Sequence, residues 1–290
     1  MNNQIKWAPV VARAKQIVES FATPITLRRL FYLLVSEPDG SPGKIPNRAK
    51  VYSGLSDKTA KARRNGDFPE LLDLTCKLYQ ETGWLSPASL INAAAHQYKR
   101  DRTEGQPYQI YVGVEKNGLR PTLQGWFDEY SVKVFAVGGY ESVTFESDVN
   151  DAIMNDDRPA VLLYGGDLDP SGVDIFRNFK RYTGPWEHTE RVAITWEQTE
   201  ENNIPRSPFA KNDSRNDSFL EEYGALFQVE IDALDALAPG KMQEFYMDAF
   251  MKYWDDTAFE AVLTREESER ERLTEFAGTF EAEEPDEDDE

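Results

Sequence analysis

The chain is nearly free of the residues that build disulfides and zinc sites, with one cysteine, Cys76, and two histidines, His96 and His188, among 290 residues. A lone cysteine cannot close an internal disulfide, and so few, widely spaced Cys and His side chains exclude a tetrahedral zinc cage. Any bound metal must therefore sit on oxygen ligands. No run approaches the roughly 20 apolar residues that cross a bilayer, and the N-terminus lacks a basic-then-apolar leader pattern. A soluble, cytoplasmic protein without a membrane partner is expected. Basic residues are also in deficit, 32 Lys/Arg against 52 Asp/Glu for a net charge of −20, which at first sight argues against a nucleic-acid partner.

The deficit is unevenly spread. Residues 1–66 hold 12 Lys/Arg against 4 Asp/Glu, whereas residues 265–290 hold 3 against 13. The chain is thus electrostatically bipolar. Solubility or adaptation to high salt would account for the acidic excess equally well. A hydrophobic content of 40%, with 12% aromatic residues, is ample for substantial cores, and the length favours two domains.

The first hundred residues read as helices. Thr26 is placed to N-cap a helix over 27–36, in which Leu27, Leu30, Phe31 and Leu34 recur at i, i+3, i+4, i+7. A Pro/Gly-rich segment over 37–46 ends it. A second helix over about 47–65 carries Arg48, Lys50, Lys58, Lys61, Arg63 and Arg64. Such a helix commonly sets lysines and arginines on DNA phosphates, although a solvated helix face has the same composition. From residue 108 the pattern changes to short β-rich apolar runs at 108–114, 133–137 and 160–164, with helical stretches at 121–130 and 142–155 between them. That alternation predicts a parallel βαβαβ unit. A helix over 171–182, a further strand over 191–196 and helices over 234–237 and 241–263 follow, and the acidic end is expected to fray into disorder.

In open α/β sheets functional groups collect at the carboxyl ends of strands. Here Glu115 directly follows the first strand in Gly113-Val114-Glu115-Lys116-Asn117-Gly118, and the third runs into Gly165-Gly166-Asp167-Leu168-Asp169-Pro170-Ser171-Gly172. Adjacent parallel strands would bring Glu115, Asp167 and Asp169 together, and their repulsion calls for a cation; an all-oxygen donor set favours Mg²⁺. A calcium-type loop beginning at Asp167 is disfavoured, because a strand precedes it, Pro170 interrupts it and Asn178 stands where a bidentate glutamate is needed. Taken singly, each acid reads equally as a solvated strand end, and Gly138-Gly139 as a simple turn.

On a helical wheel Tyr32 lies roughly 150° from the centre of the apolar stripe, with Arg28 about 40° away from it and one turn earlier. The guanidinium and the phenol can therefore approach one group. A phenol with pKa near 10 is a poor nucleophile at neutral pH and needs activation, and Arg28 is suited to stabilising charge on an attacked phosphate. The alternative is an exposed tyrosine whose ring rests on a neighbour.

The Glu115-Lys116 strand end, the Gly138-Gly139 turn and the Gly-Asp167-Leu-Asp169-Pro-Ser-Gly segment together resemble the Toprim domain of topoisomerases, bacterial primases and related nucleases. Thr26-Leu27-Arg28-Arg29-Leu30-Phe31-Tyr32, followed by a basic helix and then this domain, resembles the A subunit of topoisomerase VI and its meiotic double-strand-break relative, in the compact bacterial, phage or plasmid form called mini-A. The resemblance spans about residues 20–260. It implies an α/β chain with an N-terminal winged-helix (CAP-like) domain over 1–100, a Rossmann-like Toprim domain with C-terminal helices over 101–264, and an acidic tail over 265–290. It further implies Tyr32 as the nucleophile that forms a 5′-phosphotyrosyl link, Arg28 as its companion, Glu115, Asp167 and Asp169 as Mg²⁺ ligands, and Glu115 also as general acid/base. Double-stranded DNA, a homodimer pairing Tyr32 of one protomer with the metal site of the other, and a separate GHKL ATPase subunit are the partners implied. Phe31 replaces the first tyrosine of the family's pair, Leu33 occupies an often basic site, and the chain holds no ATPase domain. A Toprim nuclease that uses water, or a DNA-binding or regulatory protein that has lost turnover, remain the alternatives.

Overall fold

The computed structural model describes residues 5–21, 23–73, 83–138, 142–209, 214–237 and 239–281, so Cys76, Gly139 and the last acidic residues lie outside the described part. Helices α1 (Trp7–Glu19), α2 (Leu27–Ser36) and α3 (Ala49–Arg64) pack on one another around Val10, Ala14, Leu30, Phe31, Leu34 and Leu55. α2 starts where its cap is: Thr26 Oγ1 accepts the backbone N–H of Arg29 at 3.1 Å. Leu33 is buried with Leu30, Phe31 and Leu34, so the apolar face is broader than the spacing predicts. Among the described residues of this module the β contact is the parallel bridge between Thr26 and Leu72, and no hairpin is formed among them.

The α/β expectation is met by a four-stranded, wholly parallel sheet in the order β2-β1-β3-β4, formed by β1 (Gln109–Val114), β2 (Lys133–Ala136), β3 (Ala160–Gly165) and β4 (His188–Ala193). Every residue of β1 and β3 is buried, which is why both read as continuous apolar runs rather than alternating ones. On one face, Ile110, Val112 and Leu163 pack against Leu123 and Phe127 of α5 (Arg120–Phe127) and Tyr246 and Phe250 of α11 (Lys241–Met251). On the other, Tyr111, Leu162 and Tyr164 meet α6 (Val143–Met154) and α7 (Pro170–Tyr182) through Val149, Ile153, Phe176 and Phe179.

Three boundaries differ from expectation. The fourth strand occupies His188–Ala193 rather than 191–196, because Thr195 and Gln198 form a reciprocal capping box that starts α8 (Trp196–Glu201). The helix expected over 241–263 is broken by Trp254, which turns into a buried cluster with Tyr130, Phe250 and Phe259. The tail expected to be disordered from 265 is instead helical as far as Glu281, as part of α12 (Asp256–Glu281). Ion pairs hold it: buried Glu266 accepts from Arg100 N, Arg102 and Arg270, and Glu269 pairs with Arg100 at 2.6 Å. α12 lies along α4 (Pro87–Gln97), a helix that the expected 1–100 domain would have assigned to the N-terminal module. No helix among the described residues is long and apolar enough to cross a membrane.

Candidate functional site

The site is built where β1 and β3 end side by side. Glu115 continues the ladder, its N–H donating to Gly165 O at 2.8 Å, while its own carbonyl accepts from Gly138 N at 2.7 Å. Gly138 has φ +69°, and a Cβ there would stand 2.6 Å from Asn117, so the turn requires glycine. The loop after β3 then folds back over the Glu115 carboxylate, whose Oε2 accepts from Asp167 N at 2.9 Å. Two glycines allow this approach: a Cβ at Gly166 would come within 2.8 Å of Glu115 Oε2, and one at Gly172 within 2.2 Å of the Asp167 carbonyl oxygen. Arg191 on β4 fastens the loop from below, donating to Gly166 O at 2.8 Å and Asp167 O at 2.6 Å.

The three acids play unequal parts. Asp167 Oδ1 accepts from Ile231 N at 2.8 Å, and Asp169 Oδ1 N-caps α7 by accepting from Gly172 N at 2.8 Å. Burial, with Asp167 alongside, pushes Glu115 up to about 7. Two more acids, Glu230 and Asp232, arrive from the chain segment before α10 (Ala233–Leu237). The cation among them is the protein's own: Lys116 Nζ lies 3.1 Å from Asp167, 2.5 Å from Glu230 and 3.0 Å from Asp232. Burial works against the charge on Lys116, but Asp232, Asp167 and Glu230 outweigh it and hold the ammonium form. Burial also raises Glu230, with Lys116 pulling the other way.

Glu115, Asp167 and Asp169 therefore share one cleft, yet among the described residues no group of three or more His, Cys, Asp and Glu side chains is arranged to hold a metal ion. One oxygen of each acid meets a backbone N–H group, and Asp167 Oδ1 also meets Lys116. The donor chemistry itself suits a hard divalent cation, being carboxylate oxygen throughout, and Asp232 Oδ1 is buried without a hydrogen-bond partner.

Tyr32 reaches this cleft from α2. The cleft has a volume of about 790 Å³, and its walls include Arg28, Tyr32, Glu115, Lys116, Asp167 and Asp169. Arg28 Nη2 donates to the Tyr32 hydroxyl at 2.9 Å, and Lys116 Nζ sits 4.4 Å from the centroid of the Tyr32 ring. The expectation paired Tyr32 with the acids of a partner protomer, whereas here one chain brings phenol and acids to one cavity. The register of α2 against the sheet unit is set by Arg29, 2% exposed, which donates to Thr122 Oγ1 at 2.5 Å and to Asp235 at 2.8 Å.

Of the six basic residues expected on DNA, Arg48, Lys50, Lys58, Lys61 and Arg64 are exposed. Lys50, Lys58, Lys61 and Arg64 fall on one arc of α3 about 120° wide. Arg63 lies outside that arc, is half-buried and pairs with Glu70 at 3.6 Å. The residues that sequence reasoning missed are Arg29, Lys116, Arg191, Glu230 and Asp232. Lys116 was visible beside Glu115, and the acidic stretch from Glu230 resembles the family's C-terminal half, but nothing local assigns these acids to Lys116. The sequence matches no protein-family model and none of the curated proteins.

Proposed function

We propose that the protein cleaves and rejoins DNA strands with Mg²⁺, through a 5′-phosphotyrosyl intermediate on Tyr32, in the manner of a type IIB topoisomerase A subunit, its N-terminal helices acting as a winged-helix-like DNA reader and its parallel sheet as a Toprim-like unit. The observation that carries this reading is the meeting of the Tyr32 phenol, Arg28 and the acids of two adjacent strand ends in one cleft. The resemblance of the Arg28–Tyr32 segment and of the Glu115 and Asp167-x-Asp169 motifs supports it independently.

In this reading the exposed arc of α3 lies on the phosphate backbone and brings a phosphodiester over the cleft. Tyr32 Oη attacks phosphorus, the bond to the 3′-oxygen breaks, and a free 3′-hydroxyl is left. The phenol proton passes to a base and the departing oxygen takes one up. Glu115, whose carboxylate lies in the same cleft, is the group suited to both transfers. Arg28, already on the phenol, offsets charge on the pentavalent phosphate. Glu115, Asp167 and Asp169 would hold Mg²⁺, which when bound supplies Lewis-acid stabilisation of the phosphoryl oxygens. Because the phosphotyrosyl link conserves the energy of the original bond, resealing needs no ATP. Breaking both strands calls for two such chains on one duplex, hence a homodimer, and coordinated strand passage calls for a separate GHKL ATPase subunit.

Incubation with plasmid DNA and Mg²⁺, followed by a denaturing gel, tests the reading. Wild type gives protein-linked DNA, and Tyr32→Phe gives none. Free 5′-phosphates with undiminished cleavage in Tyr32→Phe would instead identify a nuclease that uses water.

A further inference from the structure

Lys116 neither holds DNA nor presents a nucleophile in this reading. It has acids on one side, Asp167, Glu230 and Asp232 at 2.5–3.1 Å, and the face of the Tyr32 ring on the other. The surrounding cleft presents five carboxylates, those of Glu115, Asp167, Asp169, Glu230 and Asp232. Their mutual repulsion in a partly buried setting would drive the strand ends apart unless a positive charge stands among them. The ammonium lies on Asp167, so a divalent ion approaching that acid meets a cation already in contact with it. The acid pair 230/232 is not expected among the metal ligands and already pairs with the ammonium, so it can keep hold of it when Asp167 is taken by an ion.

We propose that Lys116 is a tethered counter-cation of the acid cluster: it neutralises Asp167 while no divalent ion is bound, and it withdraws onto Glu230 and Asp232, beneath the Tyr32 ring, when one enters. This rests on the cleavage reading for the identity of the ion. The exchange makes and breaks only ion pairs. It ties metal entry to the surroundings of the phenol, since the same ammonium touches both.

The test is a calorimetric Mg²⁺ titration of the full chain, with no DNA present, comparing wild type with Lys116→Met and Lys116→Arg. Removing the competing charge tightens Mg²⁺ binding at least about tenfold in Lys116→Met, because a unit charge a few ångströms away is worth more than a factor of ten even at high effective dielectric. Lys116→Arg keeps the competitor and stays within a few-fold of wild type. Affinity in Lys116→Met equal to or weaker than wild type overturns the proposal, as does absence of Mg²⁺ binding by both proteins. If Lys116→Met does not fold, reductive methylation of wild type decides: the rate at which Lys116 labels differs between saturating Mg²⁺ and no Mg²⁺, and an unchanged rate overturns the proposal. The cleavage reading is judged separately by the Tyr32→Phe adduct gel, so a protein that forms the adduct with no change in Mg²⁺ affinity on losing Lys116 keeps its function and loses only the exchange.

Discussion

Replacing Arg29 by Met removes one charge from the junction between the helical module and the sheet unit while leaving a side chain of similar length against Phe21, whose ring the guanidinium covers at 4.6 Å. Arg29 and its partners are out of solvent, with side-chain exposures of 1% for Arg29, 1% for Asp232 and 0% for Asp235. Asp232 keeps Lys116 as a partner, but Asp235 retains only the backbone N–H of Met242 at 3.1 Å. Truncating one side of a buried pair costs about 3–5 kcal/mol, chiefly because the other charge is stranded, and that is a large part of a typical total of about 5–15 kcal/mol. Urea titration followed by tryptophan fluorescence reads the loss. The pH dependence gives a second signature. Burial raises the Asp235 carboxyl above the ordinary carboxylate range even with Arg29 present to lower it. Without Arg29 it rises further, and a carboxyl whose folded pKa exceeds its unfolded one destabilises the fold above that range and less so as pH falls. The deficit of Arg29→Met is therefore larger at pH 8 than at pH 5, and Asp235→Asn added to it restores part of the loss. A deficit under about 1 kcal/mol, equal at both pH values, would refute the view that this ion pair docks α2 on the sheet unit.

Three other perturbations follow from the geometry. Hydrogen bonds from Arg102 lower Glu266 to about 2, so its contribution is fully present above the unfolded carboxylate range and is lost as pH falls through about 2. Wild type should exceed Glu266→Gln by up to about 3 kcal/mol at pH 6, with the two stability curves converging towards pH 2. Gly172→Ala drives a methyl group against the Asp167 carbonyl and should cost about 1–3 kcal/mol, with the DNA adduct falling more than the helix content seen by circular dichroism. Lys61→Ala and Arg64→Ala should each lower the slope of log DNA affinity against log salt by about 1, while Arg63→Ala, whose guanidinium is half-buried beside Glu70, should leave the slope nearly unchanged.

Those parts of the molecule that depend on local periodicity were legible in the sequence. α2 begins and ends where the Thr26 cap and the apolar spacing place it, and β1, β2 and β3 fall within a residue or so of the expected runs. The strand-end position of Glu115 and Asp167 follows from those runs alone. What could not be read is what other segments bring. Glu230 and Asp232 lie more than a hundred residues beyond Lys116, and only the fold reveals that its ammonium is theirs. Arg29 looked like one more cation beside Arg28, yet a rotation of one residue along α2 takes it from the exposed side into a buried ion pair. At the acidic end the charge composition signalled a helix fraying into disorder, while two of the three arginines that hold it, Arg100 and Arg102, sit far upstream.

The α12 strut also bears on any attempt to ask whether the acidic terminus competes with DNA. A truncation placed after Thr264 would excise Glu266 and Glu269 along with the surplus negative charge, leaving Arg102 without its carboxylate, Arg100 with Glu104 alone and α4 without its companion. Such a shortened protein would confound lost shielding with lost architecture. A cut beyond Glu281 separates the two, because it removes acidic residues and leaves α12 whole.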